Sequence, residues 1–171
     1  MVMKTLIELL YQGQFDEARK LILADQSLLS STNAVPELHP GMALTHYHAF
    51  YGDQAELRFL LDQGADVNQP SANGSTPLHY ASGSGLESTV RLLLARGANP
   101  NAQDALGRTP LHWVATANIM SHQLHYFLET ITTLIQHGAD LTTRDKSGKT
   151  PSDLAQIQVG HPRLRKVLAH T

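Results

Sequence analysis

Ten histidines and no cysteine bound the chemistry open to this chain of 171 residues. The absence of cysteine excludes disulfide scaffolds, thiolate-bound zinc, iron–sulfur clusters and thiol nucleophiles. Metal binding would fall to histidine, and a zinc site needs three or four ligands. His46 and His48 lie two apart, so on a helix they face different ways and cannot chelate together. His122 and His125 are three apart and can share a face, but two ligands fall short of a zinc site. Acyl- and phosphoryl-transfer chemistry lack their local signatures. There is no Gly-x-Ser-x-Gly elbow. Ser82-Gly83-Ser84-Gly85 joins two helices rather than a strand and a helix, and no P-loop lysine follows it. No residue is a candidate catalytic group, and no metal or cofactor is expected.

What the histidines do have is an interval. His46, His79 and His112 are spaced 33 and 33. Thr76-Pro77-Leu78-His79 returns as Thr109-Pro110-Leu111-His112, and a degenerate Thr150-Pro151-Ser152-Asp153 follows 41 residues later. Gly64-Ala65-Asp66-Val67-Asn68 returns as Gly97-Ala98-Asn99-Pro100-Asn101 and again as Gly138-Ala139-Asp140-Leu141-Thr142, at the same two intervals. The apolar triplets Leu57/Leu60/Leu61, Val90/Leu93/Leu94, Ile131/Leu134/Ile135 and Leu164/Val167/Leu168 step by 33, 41 and 33. Each triplet has i, i+3, i+4 spacing, the buried stripe of one short helix. Ala18/Leu21/Ile22 supplies the same stripe near the start. Independent motifs sharing one set of intervals define an internal repeat.

Local chemistry predicts the elements that hold these motifs. Thr76 and Thr109 are N-caps whose hydroxyls accept an orphan backbone N–H. Pro77 and Pro110 take the first helical position, where a missing N–H costs nothing. Gly64, Gly97 and Gly138 end the second helix of each unit in the left-handed conformation. Asp104-Ala105-Leu106-Gly107 and Asp145-Lys146-Ser147-Gly148 form tight turns. Each unit therefore reads as turn, helix, short loop, helix.

These motifs resemble the ankyrin repeat family over roughly residues 4 to 171. The resemblance implies an all-α ankyrin-repeat solenoid of stacked helix-turn-helix pairs with short β-hairpin-like fingers, forming one domain over 1–171. Its units are about 4–28, 41–68, 74–101, 107–142 and 148–169, the first and last being caps. It implies that the recurring histidine bonds backbone between units. It also implies a concave groove lined by finger residues and by the last turn of each first helix. By register, that groove takes His39, Met42, Phe50 and Tyr51; then Asn73, Ser75, Gly83 and Ser84; then Leu106, Arg108, Thr116 and Ala117; then Ser147, Lys149 and Ile157. Met42, Phe50 and Tyr51 are large and apolar at positions expected to face solvent, which makes them the candidate hot spot. Packing against the long first finger is their alternative role. Tyr47, Tyr80 and Trp113 share one repeat position and are expected to pack between the two helix layers. Asn68 and Asn101 are expected to stabilise finger turns.

The chain departs from the pattern in three places. Ala43-Leu44-Thr45-His46 replaces Thr-Pro-Leu-His in the second unit, losing a cap worth about 1 kcal/mol. The fourth unit carries eight extra residues around Asn118 to His125. They either lengthen both helices by a turn, with Ile119, Met120, Leu124 and Phe127 packing together, or form a protruding apolar edge. The first finger, 29–41, is long, and its Ser30, Ser31, Thr32, Asn33 and Pro36 mark a loop. Its Glu37-Leu38-His39-Pro40 either orders with a partner or stays mobile.

Composition agrees with a folded chain: 42% is apolar and 16% charged. The formal charge is −2, far from the basic balance of a typical nucleic-acid binder. The charge is uneven, with −6 over residues 1–90 and +4 over 91–171. In a linear stack that asymmetry is a dipole along the array, read either as ordinary solvated ends or as a match to a partner with complementary charge at each end. Glu8 breaks the first apolar run, so the start reads as an amphipathic helix with Leu6, Leu9 and Leu10 on one face, not as a secretory signal. No stretch reaches the length of a membrane span. A cytoplasmic monomer that binds another protein, without nucleic acid or membrane, is the resulting expectation. Export without a cleaved signal is compatible with it. The short, glutamine-rich array suggests a bacterial inhibitor, immunity-type protein or secreted effector. The alternatives are an enzyme or metal-binding protein on the same scaffold, and a nucleic-acid adaptor.

Overall fold

The structure, a computed structural model, describes residues 6, 8–10, 12–31, 41–157 and 162–169. Helix α1 (Phe15–Ala24) follows a helical stretch at 8–10 and leads into a short 3-10 turn, Gln26–Leu29. Four pairs succeed it: α2 (Leu44–Tyr51) with α3 (Gln54–Asp62), α4 (Pro77–Gly83) with α5 (Glu87–Ala95), α6 (Pro110–Thr116) with α7 (Leu124–Gln136), and α8 (Pro151–Ile157) with α9 (Pro162–Ala169). The first helices α2, α4, α6 and α8 pack in succession as one layer. The second helices α3, α5, α7 and α9 do the same as the other. The array is an all-α repeat solenoid, with no strand among the described residues. The fingers are tight turns, each closed by two backbone bonds: Ser71, Asp104 and Asp145 donate N–H to the carbonyls of Ser75, Arg108 and Lys149, each at 2.9 Å, and accept from Gly74, Gly107 and Gly148 N–H at 2.8, 2.8 and 2.9 Å.

The repeated stripes form the core between the layers. Leu57, Val90, Leu93, Ile131 and Leu134 have no exposed surface, and Leu78 and Leu111 meet them from the first helices. No stripe could be buried within its own pair, so each unit depends on its neighbour. The second helices stop as their glycines require. The C′ residues Gly64, Gly97 and Gly138 have φ of 93°, 87° and 87°. The bonds Ala65 N–H to Leu60 O, Ala98 N–H to Leu93 O and Ala139 N–H to Leu134 O, each 3.0 Å, complete the Schellman closure.

A hydrogen-bond ladder through the histidines joins the units. The Nε2 of His46, His79 and His112 lies 3.1, 2.9 and 3.0 Å from the carbonyls of Ser75, Arg108 and Lys149, one unit further on. A carbonyl only accepts, so Nε2 carries the proton and Nδ1 is an acceptor. Nδ1 receives the backbone N–H of Ala43, Thr76 and Thr109 at 3.0, 3.0 and 3.1 Å. This corrects the expected cap. The hydroxyls of Thr76 and Thr109 do not accept a backbone N–H; they donate to Nδ1 of His79 and His112 at 2.9 and 2.8 Å. Pro77 and Pro110 open their helices at the first position. In the second unit His46 has no hydroxyl to bind, but its Nε2 also reaches Gln69 O at 2.9 Å.

Asparagine makes a parallel ladder. Asn68 donates to Gly97 O and accepts from Asn99 N–H, at 3.1 and 2.8 Å. Asn101 does the same with Gly138 O and Asp140 N–H, at 2.8 and 2.7 Å. These residues bridge units instead of only stabilising their own turns. At the start of the array, Arg19 grips the buried Glu56 with bonds of 3.1 and 2.5 Å and lies over the Phe59 ring. That pair docks α1 on α3.

The eight extra residues divide. Helix α7 has 13 residues against 9 in α5, about one turn more. Helices α6 and α4 both have 7, so the expectation that both helices lengthen is half corrected. The rest is an extended link at 117–120 and a 3-10 turn, Ser121–Gln123. Ile119 and Phe127 are buried, and a Cβ on Gly85 would stand 2.8 Å from the Phe127 ring. Met120 and Tyr126 are 60% and 51% exposed, so Met120 does not join that packing.

Two predictions follow from buried polar groups. Thr45 stands where later units have Leu78 and Leu111; it is fully buried and its hydroxyl has no protein partner. Thr45→Val should stabilise the fold by about 1 kcal/mol. Urea denaturation checks this, and an unchanged or lower midpoint would contradict it. Burial pushes His79 from 6.5 down to about 4, and lowers His46 and His112 as well. The unfolded chain therefore binds these protons first as pH falls. Stability from His79 is complete above about pH 6.5 and declines toward about 4, by about 3 kcal/mol at the low end. Asp104 and Asp145 are depressed below 3.8 and act at lower pH. A urea midpoint that stays flat from pH 7 to 5 would refute the histidine linkage.

Candidate protein-binding groove

The fingers stand in line because backbone bonds tie each to the next. Ala72 N–H donates to Gly41 O at 3.0 Å, Ala105 N–H to Asn73 O at 2.8 Å, and Lys146 N–H to Leu106 O at 2.9 Å. A side-chain acceptor braces each finger from within. Asp104 Oδ1 receives the N–H groups of Leu106 and Arg108, at 2.8 and 2.9 Å. Asp145 Oδ1 receives those of Ser147 and Lys149, at 2.8 and 2.9 Å. In the preceding finger Ser71 takes the aspartate position and donates to Ser75 O, and the acceptor is Asn73 Oδ1, which receives Ser71 Oγ–H and Ser75 N–H.

Beside the fingers runs a strip of aromatic rings. Tyr47 and Tyr51 have centroids 4.7 Å apart, Tyr51 and Phe50 5.1 Å, Phe50 and Tyr80 6.5 Å, and Tyr80 and Trp113 5.1 Å. Tyr80 and Trp113 are half-buried, not sealed between helix layers as expected. Their polar ends point to the fingers. Tyr80 O–H lies 3.4 Å from Ser71 Oγ, and Trp113 Nε1–H donates to Asp104 Oδ2 at 3.0 Å. Arg108 also binds that oxygen, at 2.9 Å, and its guanidinium lies 5.5 Å from the Trp113 ring centre. Burial raises the Asp104 pKa, but the bonds from Trp113, Arg108 and Leu106 prevail and hold it below the ordinary value. A partner for each aromatic polar head nine residues upstream was the sequence signal that could have placed these rings here.

The expected groove residues separate accordingly. Phe50, Tyr51 and Leu106 are exposed, by 36%, 52% and 55%. Asn73, Ser147 and Lys149 are exposed, and Ser84, Arg108, Thr116 and Ala117 are half-buried. Asn73 Oδ1 accepts from Ser75 N–H at 3.1 Å, and Thr116 returns its hydroxyl to His112 O at 3.0 Å. Gly83 lies under Trp113. Two assignments are corrected. Met42 is 2% exposed and Ser75 not at all, because both precede a first helix where the chain turns into the core. His39 and the Ile157 side chain lie outside the described residues, as do residues 32–40 of the first finger.

Leu106, Arg108 and Thr116 converge with Asp145, Lys146, Ser147 and Leu154 on a cleft of about 400 Å³ between the last two fingers. A second cleft, about 460 Å³, lies between α5 and α7 in the other helix layer, with Glu87, Arg91, Glu129 and Thr133 among its walls. Glu87 there is already paired with Arg91 and with the Thr133 hydroxyl. Among the described residues, no group of three histidine or acidic side chains is placed to hold a metal ion. No described helix is long and apolar enough to cross a membrane.

A family model described as ankyrin repeats (3 copies) matches residues 6–104 and 88–171. No curated protein matches the chain significantly. Repeats of this family generally act as protein–protein interaction modules and are typically non-catalytic. The motifs, the stacked helix pairs and the family match agree, and the chain belongs to the ankyrin repeat family.

Proposed function

We propose that this array binds a partner protein along the finger side of its first-helix layer, without catalysing a reaction. The carrying observation is the strip of Phe50, Tyr51, Tyr80 and Trp113, whose rings touch in sequence and lead to the cleft at Leu106. Exposed aromatic and arginine side chains on a rigid scaffold are what interface anchors are made of. The scaffold is already ordered by its own hydrogen bonds, so binding costs little reorganisation. Partner capture, not chemistry, fits a surface on which His79, His112, Asp104 and Asp145 are committed to backbone or neighbouring side chains.

Phe50→Ala with Tyr51→Ala should weaken partner binding by about 2 kcal/mol per anchor, roughly 30-fold each. Affinity capture with mass spectrometry, comparing parent and double variant, measures it. The far-ultraviolet circular dichroism should be unchanged, because both rings are exposed. Capture of the same proteins in the same amounts by the variant would refute the proposed surface.

A further inference from the structure

The cleft between the last two fingers has a chemistry of its own. Its apolar walls are Leu106, which is 55% exposed, and Leu154, which is anchored in the core. Asp145 is the carboxylate on its wall, Asp104 stands at the base of its other finger, and both are already engaged. Asp104 is held by Arg108 and Trp113, and Asp145 Oδ1 accepts from Ser147 N–H, Ser147 Oγ–H and Lys149 N–H. Arg108 is spent in the same way on Asp104 and the Trp113 face. Lys146, on the cleft wall, and Lys149, on the same finger, are exposed and form no salt bridge among the described residues. Asp153 is already bound by Thr150 N–H and faces Arg144. The Lys146 ammonium thus stands on the wall of an apolar slot, and that of Lys149, which acts on Asp153 through space, lies on the same finger. The wider field has the same sign, since residues 91–171 carry +4 and residues 1–90 carry −6.

We infer that this cleft takes an extended partner segment in which an apolar side chain is flanked by carboxylates. The apolar side chain fills the slot between Leu106 and Leu154, and the acids meet Lys146 and Lys149. The charge distribution along the array steers such a segment to the C-terminal fingers and away from the acidic N-terminal units. This assignment names the partner chemistry of one part of the proposed groove, and rests on that reading.

The test uses the full chain and a fluorescein-labelled octapeptide with a central Leu-Phe pair and two glutamates on each side. A second peptide replaces the glutamates by lysines. Fluorescence anisotropy should show saturable binding of the acidic peptide, weakening as salt rises. Lys146→Glu with Lys149→Glu should reduce that affinity about tenfold and favour the lysine peptide instead. Leu106→Ser, at an exposed side chain, should weaken the acidic peptide without changing the charge preference. Equal binding of both peptides, no binding of the acidic one, or indifference to the lysine reversal would overturn the assignment. The Phe50 and Tyr51 variant keeps the cleft. If capture depends on those two rings while the acidic peptide fails to bind, the cleft assignment falls alone. If the peptide binds and capture ignores the two rings, the aromatic strip falls and the cleft stands.

Discussion

A neutral imidazole at the start of a helix is the joint on which this molecule depends. Its Nδ1 gathers the N-cap N–H of its own unit, and its Nε2–H reaches a carbonyl in the next finger. One side chain thereby satisfies backbone groups of two units. His46, His79 and His112 are completely buried, so an unmade bond at any of them would leave polar atoms without water. A proton on Nδ1 would face the N–H that it now accepts, which is why burial and geometry both hold the rings neutral. The apolar stripes supply the driving force for stacking, but they are non-directional. The imidazole bridges and the asparagine ladder fix the rotation and register of one unit on the next.

That register is what makes a groove. The carbonyls receiving His79 and His112 belong to Arg108 and Lys149, residues of the fingers themselves. Each finger is thus tied to the core of the preceding unit and, through backbone bonds, to the neighbouring finger. Asp104 extends the connection outward, holding the finger backbone with one oxygen and Trp113 and Arg108 with the other. Buried joint, finger and half-buried ring form one continuous arrangement. In the proposed binding mode a partner would meet Trp113 and Arg108 already held by Asp104, which favours affinity through preorganisation.

The architecture was legible because repetition multiplies weak signals. Any one Thr-Pro-Leu-His or glycine motif is common, but several motifs at intervals of 33 and 41 leave one reading. The surface was less legible, because the sequence register assigns a position without its depth. Met42 looked exposed by register, yet the chain enters the core there. Tyr80 and Trp113 looked buried by adjacency to the histidines, yet their polar heads draw them to the finger bases. The insertion resisted for a different reason. Its residues suit either helix, and the outcome was decided by where Phe127 could dock, over Gly85 of the preceding unit. Arg19 and Glu56 gave no periodic signal at all, being a single long-range pair.

The joint itself can be observed directly by nitrogen-15 NMR of the histidine side chains at neutral pH. The account predicts that His46, His79 and His112 are fixed as the Nε2–H tautomer, with that proton exchanging slowly and Nδ1 bare but hydrogen-bonded. Rapid averaging between tautomers, or a proton resting on Nδ1, would show that the units are not joined in this way.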